Sequence, residues 1–267
     1  MTSKAIGVIP ARYKSTRLPG KPLILLEGKP ILYHVYKRCS KAKELEEVII
    51  ATDDEKIYNE AMNFSANVVM TSPFHRSGTE RVAEVCANKN ADIIINIQVD
   101  EIFIKPEMID ELVKEMKSDE TLNMATFCTP ITDLDELDDP NVVKLVLDNR
   151  GNAIYFSRNA IPYPMLDGQV QTMTVKELVS YKNDLIHNYK KHIGIYAYRR
   201  EFLLQYAQMK PTKLEQIERL EQLRAIEHRV RIKVLETDYP LIGIDTERDL
   251  KRVKSLIMSK PELLYID

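Results

Sequence analysis

The chain has 267 residues and a formal charge of −2, with 44% hydrophobic and 29% charged residues. This length suits one large domain or two small ones of an ordinary globular protein. The charge balance gives no basic excess for nucleic-acid binding, and no apolar run approaches the roughly 20 residues that cross a bilayer, so we expect no membrane insertion. The three isolated cysteines fit a reducing cytoplasm and buried apolar positions.

The first part of the chain alternates strand-like and helix-like patterns. Strands are predicted at 5–10, 47–53, 67–70 and 91–98, each followed by a helix, at 30–42, 55–64, 78–89 and 106–118. Four strand–helix units in succession predict a parallel sheet with helices on both faces. Ligands of such sheets bind at the carboxyl ends of the strands.

The pattern changes after about residue 120. A hairpin is predicted around the turn Asn149-Arg150-Gly151-Asn152, and an amphipathic helix over 213–228. A last helix begins with Thr246 as a cap and Asp249 three residues on. The remaining predictions are strands at 190–199, 231–236 and 241–245, and an irregular surface excursion at 164–190.

The loop ARYKSTRLPGK (11–21) follows the first predicted strand and carries four cations, Arg12, Lys14, Arg17 and Lys21. Arginine forks and lysine point charges suit a polyphosphate. The spacing is not that of a P-loop, because the earlier glycine and the final Ser/Thr of that motif are missing. The alternative interpretation is a solvated charged loop.

Two acids, Asp100 and Glu101, follow the buried strand 91–98, and Asp245 follows another predicted strand. Mg²⁺ takes one or two carboxylates together with phosphate oxygens and water. Asp100 and Asp245, opposite the basic loop, therefore form a candidate metal site. Taken singly, each aspartate is equally well a helix cap or a turn residue.

The segment HRSGTER (75–81) opens a helix, so its backbone N–H groups and hydroxyls are available to a base or a phosphate. The simpler interpretation is an N-cap formed by Ser77 or Thr79.

These segments occur in a familiar order. The chain resembles the 3-deoxy-manno-octulosonate (Kdo) cytidylyltransferase family from about residue 4 to 257, through VIPARYKSTRLPGKPL, ATDDEKI, SGTER, IQVDE, YFSRNAIP, KHIGIYAYR, LEQIERLEQLR and GIDTERDL. The resemblance implies an α/β, Rossmann-like nucleotide-sugar transferase fold, with a mostly parallel central sheet, helices on both faces and a smaller β-rich part. It also implies a single domain over 1–267, with a nucleotide-binding half (1–120), a sugar-binding and dimer-forming part (121–245) and a C-terminal helix (246–267).

The resemblance further implies a cytoplasmic homodimer that acts in lipopolysaccharide biosynthesis. Its substrates would be CTP and an eight-carbon sugar acid, and its cofactor Mg²⁺. The anomeric hydroxyl of the sugar acid would attack the α-phosphorus of CTP and release pyrophosphate, with catalytic roles for Asp100, Asp245 and Lys21.

The same resemblance assigns the binding residues. Arg12, Arg17 and Lys21 would neutralise the CTP phosphates, Ser77 and Gly78 would read the cytosine, and Asp100 and Asp245 would hold Mg²⁺. Gln98 would touch the nucleotide or the sugar. The sugar acid would be bound by Arg158, His192, Tyr196, Glu221 and Gln222. Without the resemblance, His192 and Tyr196 are core side chains of a strand, and Glu221 and Gln222 a solvated helix face.

The chain departs from the family beside the first acid pair, where Val99 stands for the usual glycine and Ile102 for the usual proline. A glycine there would supply positive φ or a close backbone approach, which a β-branched residue adopts only under strain. The preferred hypothesis is an active or attenuated cytidylyltransferase for Kdo or a relative such as 8-amino-Kdo. The alternative is a nucleotide-binding paralogue with weak or no catalysis.

Overall fold

The computed structural model describes residues 3–14, 18–166, 172–239 and 242–264. Its strands are β1 (Ala5–Ala11), β2 (Leu25–Leu26), β3 (Lys29–Pro30), β4 (Glu47–Thr52), β5 (Asn67–Met70), β6 (Ile93–Ile97), β7 (Met124–Pro130), β8 (Lys144–Leu147), β9 (Ala153–Ser157), β10 (Lys190–Arg199) and β11 (Ile232–Glu236). Its α-helices are α1 (Ile31–Cys39), α2 (Glu55–Asn63), α3 (Gly78–Ala87), α4 (Pro106–Ser118), α5 (Asp135–Asp138), α6 (Val175–Tyr181), α7 (Arg200–Gln208), α8 (Lys213–Glu218), α9 (Leu223–Glu227) and α10 (Glu247–Ser259). Short 3₁₀ helices occupy Lys21–Leu23, Asn183–Asn188 and Pro261–Leu263.

The chain divides into two compact units, and the first comprises Met1–Thr121, Gly194–Gln208 and Leu241–Asp267. Its strands run parallel in the order β6-β1-β4-β5, and the end of β10 pairs antiparallel with β6. Every residue of β1 and β6 is buried, which explains their continuous apolar sequences. The loops after β1 and β6 therefore leave the same edge of this sheet. The predicted α/β fold with a mostly parallel sheet is confirmed.

The second unit comprises Leu122–Ile193 and Met209–Pro240. Within it β7 pairs parallel with β11, and β8 and β9 form the predicted antiparallel hairpin. Gly151 takes a left-handed conformation (φ 74°) in the hairpin turn, which glycine adopts at little cost. The prediction of one domain over 1–267 stays a prediction. Residues 194–208 and 241–267 also belong to the first unit, which the predicted division at residue 121 did not include. Their place there depends on contacts between segments that are far apart in the sequence.

Several local predictions are confirmed. Pro106 opens α4, and Thr246 and Asp249 form a capping box at the start of α10. All three cysteines are buried. None of the described helices combines the length and apolar character that a bilayer crossing requires.

Two element predictions are wrong. The helix predicted over 213–228 breaks between α8 and α9, because Arg219 adopts a left-handed conformation (φ 53°) that ends α8. Residues 242–245 form no strand, although Ile244 N–H donates to the Asp100 carbonyl at 3.3 Å. The segment described as irregular contains α6, whose Leu178 and Val179 are buried.

Candidate active site

The loop after β1 turns back towards the sheet edge. Gly20 takes a left-handed conformation (φ 69°), and its N–H donates to the Tyr13 carbonyl at 2.9 Å. This turn starts the 3₁₀ helix at Lys21, whose side chain is buried. Arg12 lines the pocket described below. Arg17, a predicted phosphate ligand, lies outside the described residues.

Lys21 joins the two aspartates of the candidate metal site. Its ammonium nitrogen lies 3.0 Å from Asp100 Oδ2 and 3.0 Å from Asp245 Oδ1. Asp100 follows β6, and its carbonyl accepts hydrogen bonds from the N–H groups of Ile102 and Ile244. Asp100 and Asp245 therefore lie in one neighbourhood, although they are far apart along the chain.

The electrostatics of this group follow from partial burial. Burial alone would lower the pKa of Lys21, but the two carboxylates outweigh it and raise that pKa above its ordinary value. Burial also raises the pKa of Asp100; Lys21 opposes this shift and Asp245 adds to it. Burial and the charge of Asp100 raise the pKa of Glu101 to about 8. Lys21 is thus the counter-ion of a site that favours further positive charge.

The donor set also suits a magnesium ion. Among the described residues there is no group of three or more His, Cys, Asp or Glu that could hold a metal alone. Mg²⁺ does not need one, because it commonly takes one or two carboxylates and completes its octahedron with phosphate oxygens and water. Asp100 and Asp245 fit that requirement when a triphosphate supplies the other oxygens.

A cavity of about 230 Å³ opens beside these residues. Ser77, Gly78 and Gln98 form part of its lining, with Arg12 and Lys21. Ser77 also caps α3, accepting the Glu80 N–H at 3.2 Å, so the N-cap interpretation is confirmed. A Cβ atom on Gly78 would lie 3.2 Å from the Pro10 ring, so a larger residue there would fit only if Pro10 shifted slightly.

Arg81 and His75 line the same cavity, but the sequence analysis gave them no role. Arg81 is buried, donates to the Thr71 hydroxyl, and forms an ion pair with Asp53 at 3.0 Å. Arg81 follows Ser77 by four residues and so lies on the same face of α3. This spacing of four residues from Ser77 is the feature of the sequence that could have placed Arg81 at the cavity. His75 contacts Glu84, which joins the loop to α3.

The expected backbone strain at Val99 is wrong. Val99 does not occur among the described non-glycine residues with positive φ, and its side chain is buried in the cavity lining. The backbone therefore accommodates a β-branched residue here. Ile102 contributes something that proline lacks, since its N–H donates to the Asp100 carbonyl at 2.9 Å.

Three of the predicted sugar-binding residues lie around β9 in the second unit. His192 Nε2 lies 3.0 Å from the Thr126 hydroxyl, and its ring packs edge-on against Phe156 of β9. Burial lowers the pKa of His192 to about 3, so this ring is neutral at physiological pH. Arg158 follows β9, and α9, which begins directly after the buried Gln222, packs against that strand.

Arg158 is held by backbone carbonyls. Its guanidinium donates to the carbonyls of Glu218 at 2.7 Å and Pro140 at 2.6 Å, and its N–H donates to the Glu218 carboxylate. Glu221 is half-buried beside Gln222. Tyr196 lies in the first unit, where it pairs with Asn96 of β6. Gln98 donates to the Asn96 side chain at 3.0 Å.

Comparison with known proteins gives a consistent family. The family model for cytidylyltransferases matches residues 6–232. The 3-deoxy-manno-octulosonate cytidylyltransferase of Fusobacterium nucleatum is 47% identical over 95% of this chain and 97% of its own length. The enzyme of the same name from Geotalea uraniireducens is 47% identical over 94% and 97%.

The fold agrees with these relatives. The structure of CMP:2-keto-3-deoxy-manno-octonic acid synthetase complexed with CTP is 39% identical, with a TM-score of 0.84, and the alignment covers 97% of this chain and 100% of the other. A cytidylyltransferase from Leptospira borgpetersenii has a TM-score of 0.64 at 16% identity, which shows a shared fold alone.

Proposed function

Since the chain belongs to the 3-deoxy-manno-octulosonate cytidylyltransferase family, we propose that it transfers CMP from CTP to the anomeric hydroxyl of Kdo and releases pyrophosphate. The hydroxyl oxygen bonds to the α-phosphorus, the bond from that phosphorus to the bridging oxygen breaks, and the hydroxyl proton is lost.

The observation that carries this proposal is the position of Lys21 between Asp100 and Asp245, each 3.0 Å from its ammonium nitrogen, beside a cavity that Arg12 and Ser77 also line. Such a site combines cations that can neutralise phosphate charge with carboxylates that can bind a divalent ion. A transfer of this kind needs alignment and charge neutralisation more than it needs a nucleophilic side chain.

Each residue has a proposed role. Arg12 and Lys21 neutralise the phosphates, with Arg17 as a third cation. Asp100 and Asp245 would hold Mg²⁺, which when bound would supply Lewis-acid polarisation of phosphate oxygens and favour loss of the hydroxyl proton. Ser77 and Gly78 contact the cytosine at the start of α3, and Gln98 contacts the nucleotide or the sugar.

The sugar acid is proposed to bind Arg158, His192, Tyr196, Glu221 and Gln222. Neutral His192 would serve as a hydrogen-bonding group, because burial keeps its pKa far below physiological pH. Arg158 supplies positive charge for the sugar carboxylate. Its carbonyl contacts fix the guanidinium in one orientation, which favours binding by a rigid fork.

The remaining proposals concern the oligomeric state of the protein and where in the cell it acts. We propose a homodimer formed through the second unit, whose exposed apolar side chains include Ile154, Tyr181 and Ile217. Light scattering during size-exclusion chromatography tests this. From the proposed reaction we also infer that the protein acts in lipopolysaccharide biosynthesis and that it does so in the cytoplasm.

The test is pyrophosphate release from CTP with Mg²⁺ and a panel of sugar acids that contains Kdo and 8-amino-Kdo. We expect release with Kdo or its 8-amino relative, and loss of at least about a hundredfold in rate for Asp100→Asn. Binding of CTP without release for every sugar acid would favour the non-catalytic alternative. Val99 does not take a positive φ, so backbone strain gives no support to that alternative.

A further inference from the structure

A second cavity, of about 430 Å³, lies in the first unit and shares no lining residue with the nucleotide pocket. Lys29, Tyr33, Lys37 and Lys41 recur at a spacing of four, so they follow one face of α1 and its ends. Arg38 and Leu264 also contribute to the lining. We call this region the α1 cavity. Glu27 is the one acid among its described lining residues.

Three cations of the α1 cavity have no carboxylate partner within the described part of the chain. No carboxylate of those residues lies within ion-pair distance of Lys29, Lys37 or Arg38. The ammonium nitrogens of Lys29 and Lys37 instead lie 5.4 and 5.8 Å from the centre of the Tyr33 ring. Cation–π contacts of this kind hold an ammonium group in place but leave its charge unchanged.

Arg38 adds a buried cation to this cluster. It is 6% exposed, and it donates to the Ile104 carbonyl at 3.3 Å and to the Leu263 carbonyl. Its Nε is buried and has no partner among the described residues. A guanidinium that is withdrawn from water without a carboxylate carries an electrostatic cost, which a nearby anion reduces.

We propose that the α1 cavity is a second ligand site, which binds a small phosphate ester. The phosphate lies between the ammonium groups of Lys29 and Lys37, and the apolar part of the ligand packs on Tyr33 and Leu264. The size agrees, because small-molecule sites commonly measure roughly 300–1,000 Å³ and combine apolar walls with a few polar groups.

A single introduced tryptophan can report ligand binding at this site by its fluorescence. The chain has no tryptophan, so Tyr33→Trp places a single one at the α1 cavity. Phenyl phosphate combines the expected phosphate with an apolar ring and serves as the probe. Titration in saturating CTP, without sugar acid or Mg²⁺, fills the nucleotide pocket first. We expect a saturable change in tryptophan fluorescence, and weaker binding of phenol and of inorganic phosphate.

Removing the charges should weaken this binding. Lys29→Gln with Lys37→Gln, in the Tyr33→Trp chain, should raise the dissociation constant for phenyl phosphate by about tenfold or more. Lys210→Gln with Lys213→Gln removes the same charge from exposed positions of the second unit and should leave that constant unchanged.

Circular dichroism establishes that each variant is folded, and calorimetric titration of the natural chain excludes a site created by the tryptophan. Absence of saturable binding, or equal affinity in the two double variants, would overturn the proposal. Neither result bears on pyrophosphate release, which tests the proposed function separately.

Discussion

At the scale of single residues, the first acid pair depends on its backbone surroundings. The Asp100 carbonyl accepts from Ile102 N–H and Ile244 N–H, so it connects the end of β6 to the segment that carries Asp245. Val99 stands beside this junction with its side chain buried and its backbone φ unremarkable. The valine expected to replace a glycine therefore lines the cavity without a left-handed backbone.

This gives a prediction for Val99→Gly. We expect kcat to change by less than about threefold, because there is no strain to release. Loss of a buried side chain and added backbone freedom should lower the free energy of unfolding by about 1–2 kcal/mol. Urea unfolding and the pyrophosphate assay measure the two quantities. Val99→Ala is the matched control, and a large rate gain specific to glycine would restore the strain argument.

At the scale of elements, the start of α3 links helix capping to the proposed nucleotide pocket. Ser77 accepts the Glu80 N–H as the N-cap, and it also lines the cavity. Thr174 caps α6 in a comparable way in the second unit, with Glu177 completing the capping box.

Ser77→Ala and Thr174→Ala should therefore each reduce the free energy of unfolding by about 1 kcal/mol, since each helix loses its cap. Only Ser77→Ala should also weaken CTP binding, which calorimetric titration measures. Equal CTP affinity in the two variants would show that the Ser77 hydroxyl serves the helix alone.

Local patterns explain which elements the sequence reveals. The buried apolar runs of β1 and β6 and the caps of α4 and α10 are encoded by neighbouring residues, and they were predictable. The left-handed Arg219 that separates α8 from α9 was not, because no glycine or proline marks it. The proximity of Asp100 and Asp245 is a long-range property, which was expected from their positions after two predicted strands and from the resemblance, although residues 242–245 form no strand.

At the scale of the whole molecule, half-buried His192 links stability to pH. Its folded pKa of about 3 lies below its ordinary value of 6.5, so below pH 6.5 the unfolded chain binds a proton that the folded chain does not. The contribution to stability is therefore fully present above pH 6.5 and is lost as the pH falls towards 3.

We accordingly expect the urea midpoint of the natural chain to fall more between pH 7 and pH 5 than that of His192→Gln. The exposed His228 offers the matched control, since His228→Gln should retain the pH dependence of the natural chain. Parallel midpoint curves for all three proteins would contradict this prediction.

The contact of Lys21 with both aspartates has a consequence for metal binding. One ammonium and two carboxylates sum to a single negative charge, so the lysine neutralises part of the charge that would attract a divalent ion. A triphosphate bound beside this group would offer the ammonium a second set of anionic partners. The lysine and a divalent ion would therefore compete for the same two carboxylates.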